Sequence, residues 1–271
     1  LLESDTTSYG RGLFSACKSL KRVVFEEGSK LTKIGSYAFS GTVLESINFP
    51  SALASIGEQA FADTNLTTLT LPVTVTSIGQ NAFDGCKKLT SVTLGAGVKV
   101  LPSYVFQNCD ALTTVNIPAS LISIASSAFA NCDSLVGFTV DRDSESFMEK
   151  DGVVYDINWN IVLYPTAKTE FEIPAGMTQF PENFFDGYRT PFGAVPEHIT
   201  VEEGNTAFKE IGGILYDFEL TEILFFPDDI TEFTIPEKIP SSMAPDEFFT
   251  LLFEKGVTVT LSPENTDCKE L

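Results

Sequence analysis

The residues that could do chemistry are unevenly supplied in this chain of 271 residues: one histidine, five cysteines, and 37 acidic against 17 basic side chains. With His198 alone, at most one Ser–His or Cys–His pairing can be drawn, and it stands in Pro196-Glu197-His198-Ile199, at the entry to a strand. No GxSxG, P-loop or GxGxxG occurs in a strand–turn–helix context, so nucleophilic and phosphoryl chemistry lack a constellation. No CxxC or Cys/His pair occurs either, which removes the usual zinc spacings. The acidic groups Asp141/Asp143/Glu145, Glu202/Glu203 and Asp228/Asp229 fit neither an EF-hand loop nor the Gly-rich nonapeptide. Calcium wants about six to eight converging oxygens, so these groups read as solvated faces. A carboxylate pair for glycoside cleavage would have to recur at equivalent strand positions, whereas these acids cluster in loops. The expectation is no enzyme, no cofactor and no metal.

What remains is the chemistry of surfaces. Thr68, Ser91 and Thr114 form one outward column, continued at its ends by Ser46 and Gly137; Thr70, Thr93 and Asn116 form a second, with Asn48 and Thr139. With strands about 4.8 Å apart, this is a flat face of hydroxyls and amides, able to hold a polar polymer or a protein by many weak hydrogen bonds. The plainer reading is that Ser and Thr solvate an exposed sheet and suit β geometry. Among the aromatics of the second half (Trp159, Tyr164, Tyr188, Phe192, Phe226), Trp159 lies in a turn between Asn158 and Asn160. There it either anchors a protein or sugar ring or folds back onto its own coil.

The elements that position these residues are written as a repeat. From Leu66 the chain reads LTTLTLPVTVTSIGQNAFDGCKK, then LTSVTLGAGVKVLPSYVFQNCDA, then LTTVNIPASLISIASSAFANCDS, and opens again with LVGFTV. Phe14, Phe39, Phe61, Phe83, Phe106 and Phe129 mark the register, at steps of 25, 22, 22, 23 and 23 residues. The long first step places an insertion near residues 26–29. A fixed short period is the mark of a solenoid, whose units bury their apolar faces only against one another. Within a unit, Leu112, Val115 and Ile117 show strand alternation, and a Pro (Pro50, Pro72, Pro118) ends the strand in three units because it cannot donate to a ladder. A second apolar pair follows, such as Val75/Ile78. Gly57 or Gly79 then turns the chain into an expected short helical or 3₁₀ segment that carries the Phe inward.

The unit L-x-x-V-x-I-P-x-x-V-x-x-I-G-x-x-A-F-x-x-C resembles the BspA-type leucine-rich repeats of bacterial and protozoan surface proteins, closely over about half the chain. The resemblance implies a leucine-rich-repeat solenoid of right-handed coils with a parallel β-sheet on the concave face and short helical segments on the other. It also implies an exported cell-surface protein. Four of the cysteines (Cys17, Cys86, Cys109, Cys132) share one repeat position, which in such repeats is a buried site. They read as small hydrophobes rather than as a disulfide set, and the pairing of Cys268 is left open. The opening residues LLESDTTSYG contain neither a basic n-region nor an apolar h-region, and the chain is expected to be a trimmed or mature form. No run of about 18 apolar residues exists, so no membrane insertion is expected.

Residues 1–140 hold 10 acidic and 9 basic residues, leaving 37 − 10 = 27 and 17 − 9 = 8 for residues 141–271, a net of −19 out of −20. Such a chain has no basic face for nucleic acid or for an anionic membrane. This half repeats at a longer period. GVVYDINWNIVLYP (152–165) pairs with GILYDFELTEILFFP (213–227), each read as a β-hairpin. FEIP and FTIP follow as short strands, with the double aromatics Phe184-Phe185 and Phe248-Phe249 beyond. Hence 1–140 reads as regular repeats and 141–271 as acidic variant repeats with hairpin inserts, continuous with the same solenoid. A monomeric module that binds a protein or glycan is expected first, a passive spacer of a larger surface protein second, and a polysaccharide-active enzyme last.

Overall fold

The structure, a computed structural model, describes residues 12–181, 184–185, 195–220, 222–235 and 256–261. The chain divides into two compact units, Leu1–Lys168 with Pro181–Ala194 and Thr169–Phe180 with Val195–Leu271. Phe248, Phe249, Tyr188, Phe192 and Cys268 lie outside the described residues.

The first unit is a parallel β-solenoid. Each coil contributes two short strands: β1 (Arg22–Val23) and β2 (Lys33–Ile34), β3 (Ser46–Ile47) and β4 (Ser55–Ile56), β5 (Thr68–Thr70) and β6 (Ser77–Ile78). The series continues with β7 (Ser91–Thr93), β8 (Val100–Leu101), β9 (Thr114–Ile117), β10 (Ser123–Ile124) and β11 (Gly137–Val140). Odd-numbered strands pair in parallel on one side (Arg22 with Ser46, Thr68 with Ser91, Thr114 with Gly137) and even-numbered strands on a second (Lys33 with Ser55 and Ser77, Val100 with Ser123). Between them Pro50, Pro72 and Pro118 each offer their carbonyl to the amide three residues on, so the residue that stops the strand also makes the corner. The expected insertion in the first coil is a turn, Ser29 N–H to Glu26 O, with Gly28 at φ 75°.

The third side carries the Phe, and it differs from the expected short helix: no helix is present among the described residues. Amides here alternate between two tasks. In one coil Ala38, Ser40 and Thr42 donate to the carbonyls of Gly35, Tyr37 and Phe39, three residues back. The amides between them, on Tyr37, Phe39 and Gly41, donate to Glu58, Ala60 and Ala62 of the next coil. A helix would use every amide internally and leave this side without a ladder. Alternation requires left-handed residues on either side of the Phe: Tyr37, Gln59, Asn81 and Tyr104 two before it, and Gly41, Asp63, Gly85, Asn108 and Asn131 two after it. Gly, Asn and Asp supply the second set, apart from Ala16 at φ 59° in the first coil, because they enter that region at least cost.

The core is built in ranks. Phe14, Phe39, Phe61, Phe83, Phe106 and Phe129 stack along the coils with centroids 5.2–5.4 Å apart and ring planes within 4–14° of parallel. Phe138, on β11, closes the row edge-on at 5.3 Å and 65°. Leu66, Leu89, Leu112 and Leu135 form a second buried rank. Glycine is obligatory where coils touch backbone to backbone: a Cβ on Gly79 would lie 2.3 Å from the Glu58 amide nitrogen.

After β11 the chain leaves the coil pattern. β12 (Phe147–Lys150), β13 (Val153–Asp156) and β14 (Ile161–Leu163) form an antiparallel three-stranded sheet. The expected hairpin is thus preceded by an additional strand. Asp151 and Gly152 both have positive φ (52° and 78°) and make the first turn, as hairpin twist favours. The Gly152 carbonyl accepts the Phe138 amide at 2.9 Å, which joins the insert to the flank of β11.

The second unit repeats this plan. β15 (Glu170–Ile173) pairs in parallel with β16 (His198–Val201). A three-stranded sheet of β17 (Phe208–Ile211), β18 (Ile214–Asp217) and β19 (Ile223–Phe225) follows. Then β20 (Glu232–Ile235) pairs in parallel with β21 (Thr258–Leu261). Gly212 and Gly213, at φ 63° and 87°, take the places of Asp151 and Gly152.

Replacing Phe83 by Ala removes a ring stacked on both sides. Urea denaturation is expected to show a loss of about 4 kcal/mol, the upper part of the range for a buried aromatic, from the cavity together with two lost ring pairs. A loss under about 1 kcal/mol would mean the rank is not continuous.

Candidate binding surface

The two sequence columns fall on the outer face of the odd-numbered strands. Leu69, Val92 and Val115 point into the core, so Thr68, Thr70, Ser91, Thr93, Thr114 and Asn116 must point out, and all six are exposed. The strand register sets Thr68 beside Ser91, Thr70 beside Thr93, and Asn116 beside Thr139. Thr139 Oγ1 donates to Asn116 Oδ1 at 3.0 Å.

A third column went unnoticed in the sequence: Thr67, Thr90 and Thr113, each directly after the buried Leu, are exposed as well. Thr90 Oγ1 donates to the Thr67 carbonyl of the coil before, at 3.0 Å, which holds its rotamer. The signal was present in the repeated Leu-Thr pair. On three successive coils the face therefore shows nine exposed side chains: seven Thr, one Ser and one Asn, with no charge and no aromatic ring. Charges stand at its margin, where Lys21 faces Glu45 at 3.5 Å with both side chains largely in water. Such a pair contributes little stability.

Trp159 belongs to a different sheet. It ends the turn after β13 with φ 64°, half-buried, its ring 5.4 Å from that of Tyr155 and tilted by 58°. Asp156 organises this turn: Oδ1 accepts the amides of Asn158 and Asn160, and Oδ2 accepts Asn160 Nδ2 at 2.8 Å. Partial burial alone would raise the Asp156 pKa, but the Asn160 side chain and these two amides outweigh it and hold the group below its ordinary value. Ile157, at the tip of the turn, is 68% exposed.

The acidic groups stand in water, with Glu202 half-buried, and two of their carboxylates also bracket the backbone. Asp141 Oδ1 accepts the Asp143 amide at 3.1 Å, and Glu202 Oε2 accepts the Ala175 amide at 2.7 Å. Asp229 lies 3.8 Å from His198, and the register sets Glu170 beside the same histidine. No group of three or more His, Cys, Asp or Glu that could hold a metal ion occurs among the described residues.

Cys86, Cys109 and Cys132 are buried free thiols, whereas Cys17 at the same repeat position of the first coil is exposed. Each buried thiol donates to the carbonyl of a Phe one coil back (Phe61, Phe83, Phe106) at 3.1–3.4 Å. Thr42 and Thr64, which fill this position in two coils, donate instead to the Phe of their own coil at 2.9 and 3.0 Å. Burial pushes the Cys86 thiol up to about 12. The adjacent Cys132 thiol, with burial, holds Cys109 well above its usual range.

Asn205, also missed in the sequence, is a buried side chain of the second unit with four hydrogen bonds. Its Nδ2 donates to the carbonyls of Pro174 and Met177, and its Oδ1 accepts the amides of Ala207 and Phe208. Ser144 does part of the same work before β12, accepting the Phe147 amide at 3.1 Å.

Residues 7–136 match the BspA type leucine-rich repeat region, in six copies. No curated protein matches the chain. Among solved structures, the pneumococcal vaccine antigen PcpA superposes with a TM-score of 0.57 at 19% identity, over 84% of this chain and 63% of its own. A leucine-rich repeat protein from Bacteroides ovatus gives 0.54 at 26% identity, over 72% of this chain and 47% of its own. The chain thus spans less than two thirds of either protein.

Three outcomes follow from these sites. A thiol reagent should modify Cys17 rapidly and leave Cys86, Cys109 and Cys132 untouched until the chain unfolds. Because the folded Cys86 pKa lies above the unfolded value of about 8.5, stability is complete below that pH and falls as pH rises towards 12. Cys86→Thr, which copies Thr64, should therefore keep the fold and move alkaline unfolding to higher pH; no shift would mean the thiol is not buried. In the second unit, Asn205→Ala removes the side-chain partner of the Ala207 and Phe208 amides and of the Met177 carbonyl, while Pro174 O keeps the Met177 amide, and thermal denaturation should report a loss of about 3 kcal/mol.

Proposed function

We infer that the chain, whose residues 7–136 match the BspA type leucine-rich repeat region, is a non-enzymatic binding module that works outside the cell, at the surface of the organism that makes it. The observation that carries this reading is the uncharged face of nine hydroxyl and amide side chains on three successive strands. The likeness to a pneumococcal antigen and to a Bacteroides ovatus repeat protein supports it at the level of fold.

The rest of the molecule is consistent with that division of labour. The six sheet residues lie on rigid elements and need no rearrangement to meet a partner, so little ordering cost opposes binding. The ligand is a protein or a glycan of the cell exterior, and Trp159 is a second, separate contact. The single histidine is turned towards carboxylates, and the buried Cys86 and Cys109 thiols are held protonated, so none of these is poised as a nucleophile.

Thr93 is the central test. It is exposed and flanked on both sides by the face, so Thr93→Arg adds bulk and charge without touching the core. On an array of extracellular-matrix proteins and glycans, saturable binding by the native chain should fall at least about tenfold with this variant, more than 1.4 kcal/mol, with denaturation unchanged. Binding that survives Thr93→Arg but is lost with Trp159→Ala would move the site to the insert. Binding to nothing would leave a passive spacer.

A further inference from the structure

We propose that the ligand of the threonine face is a neutral, linear polysaccharide lying along the solenoid axis, across the strands. The proposal rests on the binding-module reading above and narrows its ligand class.

Composition comes first. Protein–protein contact patches concentrate Trp, Tyr and Arg at their centres and are depleted of Ser and Thr. This face is the reverse: Thr67, Thr68 and Thr70 on one coil, Thr90, Ser91 and Thr93 on the next, Thr113, Thr114 and Asn116 on the third, with no ring or cation among them. It holds no apolar patch, since the Leu and Val between these residues face inward.

Charge is the second argument. The chain carries a net −20, yet these nine positions carry none. A polyanion finds no cation among these nine positions, since Lys21 and Arg22 stand two coils away in the same columns, and a polycation would be drawn to the acids elsewhere. An uncharged partner is the one for which the face is matched.

Periodicity is the third. Register places like beside like within the pairs β5–β7 (Thr68 with Ser91, Thr70 with Thr93) and β9–β11 (Asn116 with Thr139), and the repeat carries the same kinds of small polar residue from β7 to β9, so the pattern recurs once per coil at a step near about 4.8 Å. A partner that meets equivalent groups on every coil must itself repeat at a comparable step. An extended chain of sugars does so, whereas a folded protein surface does not. Each hydroxyl both donates and accepts, as sugar hydroxyls do. Each such bond is worth only about 1 kcal/mol net, so affinity has to come from number.

The test measures binding of the full chain to insoluble cellulose, chitin and β-1,3-glucan, to heparin and alginate, and to matrix proteins. Soluble oligomers of any neutral glycan that binds are then titrated by length. The expected result is saturable binding to a neutral glycan, with affinity rising with length until the oligomer spans the strands from Ser46 to Thr139, roughly 19 Å at four steps of about 4.8 Å. That binding should change less than about twofold between ~50 and ~500 mM salt, since no charge is screened, and should fall at least tenfold in Thr93→Arg. Preference for heparin or alginate, or strong salt sensitivity, overturns the proposal. A matrix protein that binds and is lost with Thr93→Arg, while no neutral glycan binds, overturns the glycan and leaves the binding module standing. Silence on the whole panel removes both.

Discussion

The constraint on which the first unit depends is the distance from one coil to the next. Backbone amides reach from coil to coil on three sides, though not on every side at every junction, so the layers of side chains inherit a spacing near that of paired strands. Flat rings suit that spacing when they lie parallel, and the Phe rank does so at 5.2–5.4 Å. The Ala that precedes most of these Phe residues (Ala38, Ala60, Ala82, Ala128) is small and buried because its carbonyl takes the amide of the coil before. The same spacing explains Gly57 and Gly79, where two backbones meet with no room for a methyl group. The face of threonines is a by-product of this order. Once the inward residues are set by the core, the outward ones stand in straight rows.

Position-specific exchange within the repeat shows how the rules bend. Cys and Thr alternate at one buried site because each can hand a proton to a Phe carbonyl, though to different ones: a thiol reaches one coil back, and a threonine stays at home. The inserts follow the same economy of parts. Two of the acidic residues read as a solvated face, Asp141 and Glu202, also accept backbone amides at turns, and Asp156 does the same in the first insert. The excess of carboxylates in the second half is in part a requirement of its many turns.

Much of this was legible in the residues. The period, the Phe register, the inward Leu and Val, the Pro corners and the paired inserts could all be read directly, because each depends on side-chain pattern. The turn ladder was not, because the alternation of amides between two partners leaves almost no mark on hydropathy; its trace is the Gly, Asp and Asn two residues past the Phe. β12 and β17 escaped because their residues mix charge with few branched side chains, although the Asp151-Gly152 and Gly212-Gly213 pairs announced the turns that follow them. Asn205 was passed over as loop composition, yet its Asn-Thr-x-x-Lys-Glu run (205–210) recurs in the sequence at 265–270. The sheet columns were found but counted two wide rather than three. Trp159 drew notice for its type and place, while its left-handed backbone and its contact with Tyr155 belong to the fold alone.

The three ladders of the first unit have a mechanical consequence. Their hydrogen bonds point from coil to coil, so tension drawn along the axis through a chain end opens the bonds of the terminal coil one after another rather than shearing them together. The stack then peels from its end, and each released coil pays out a loop of some twenty-odd residues before the next bears load. Stretched at a cell surface, such a stack would lengthen in equal steps, and the flat face would shorten by one row at a time.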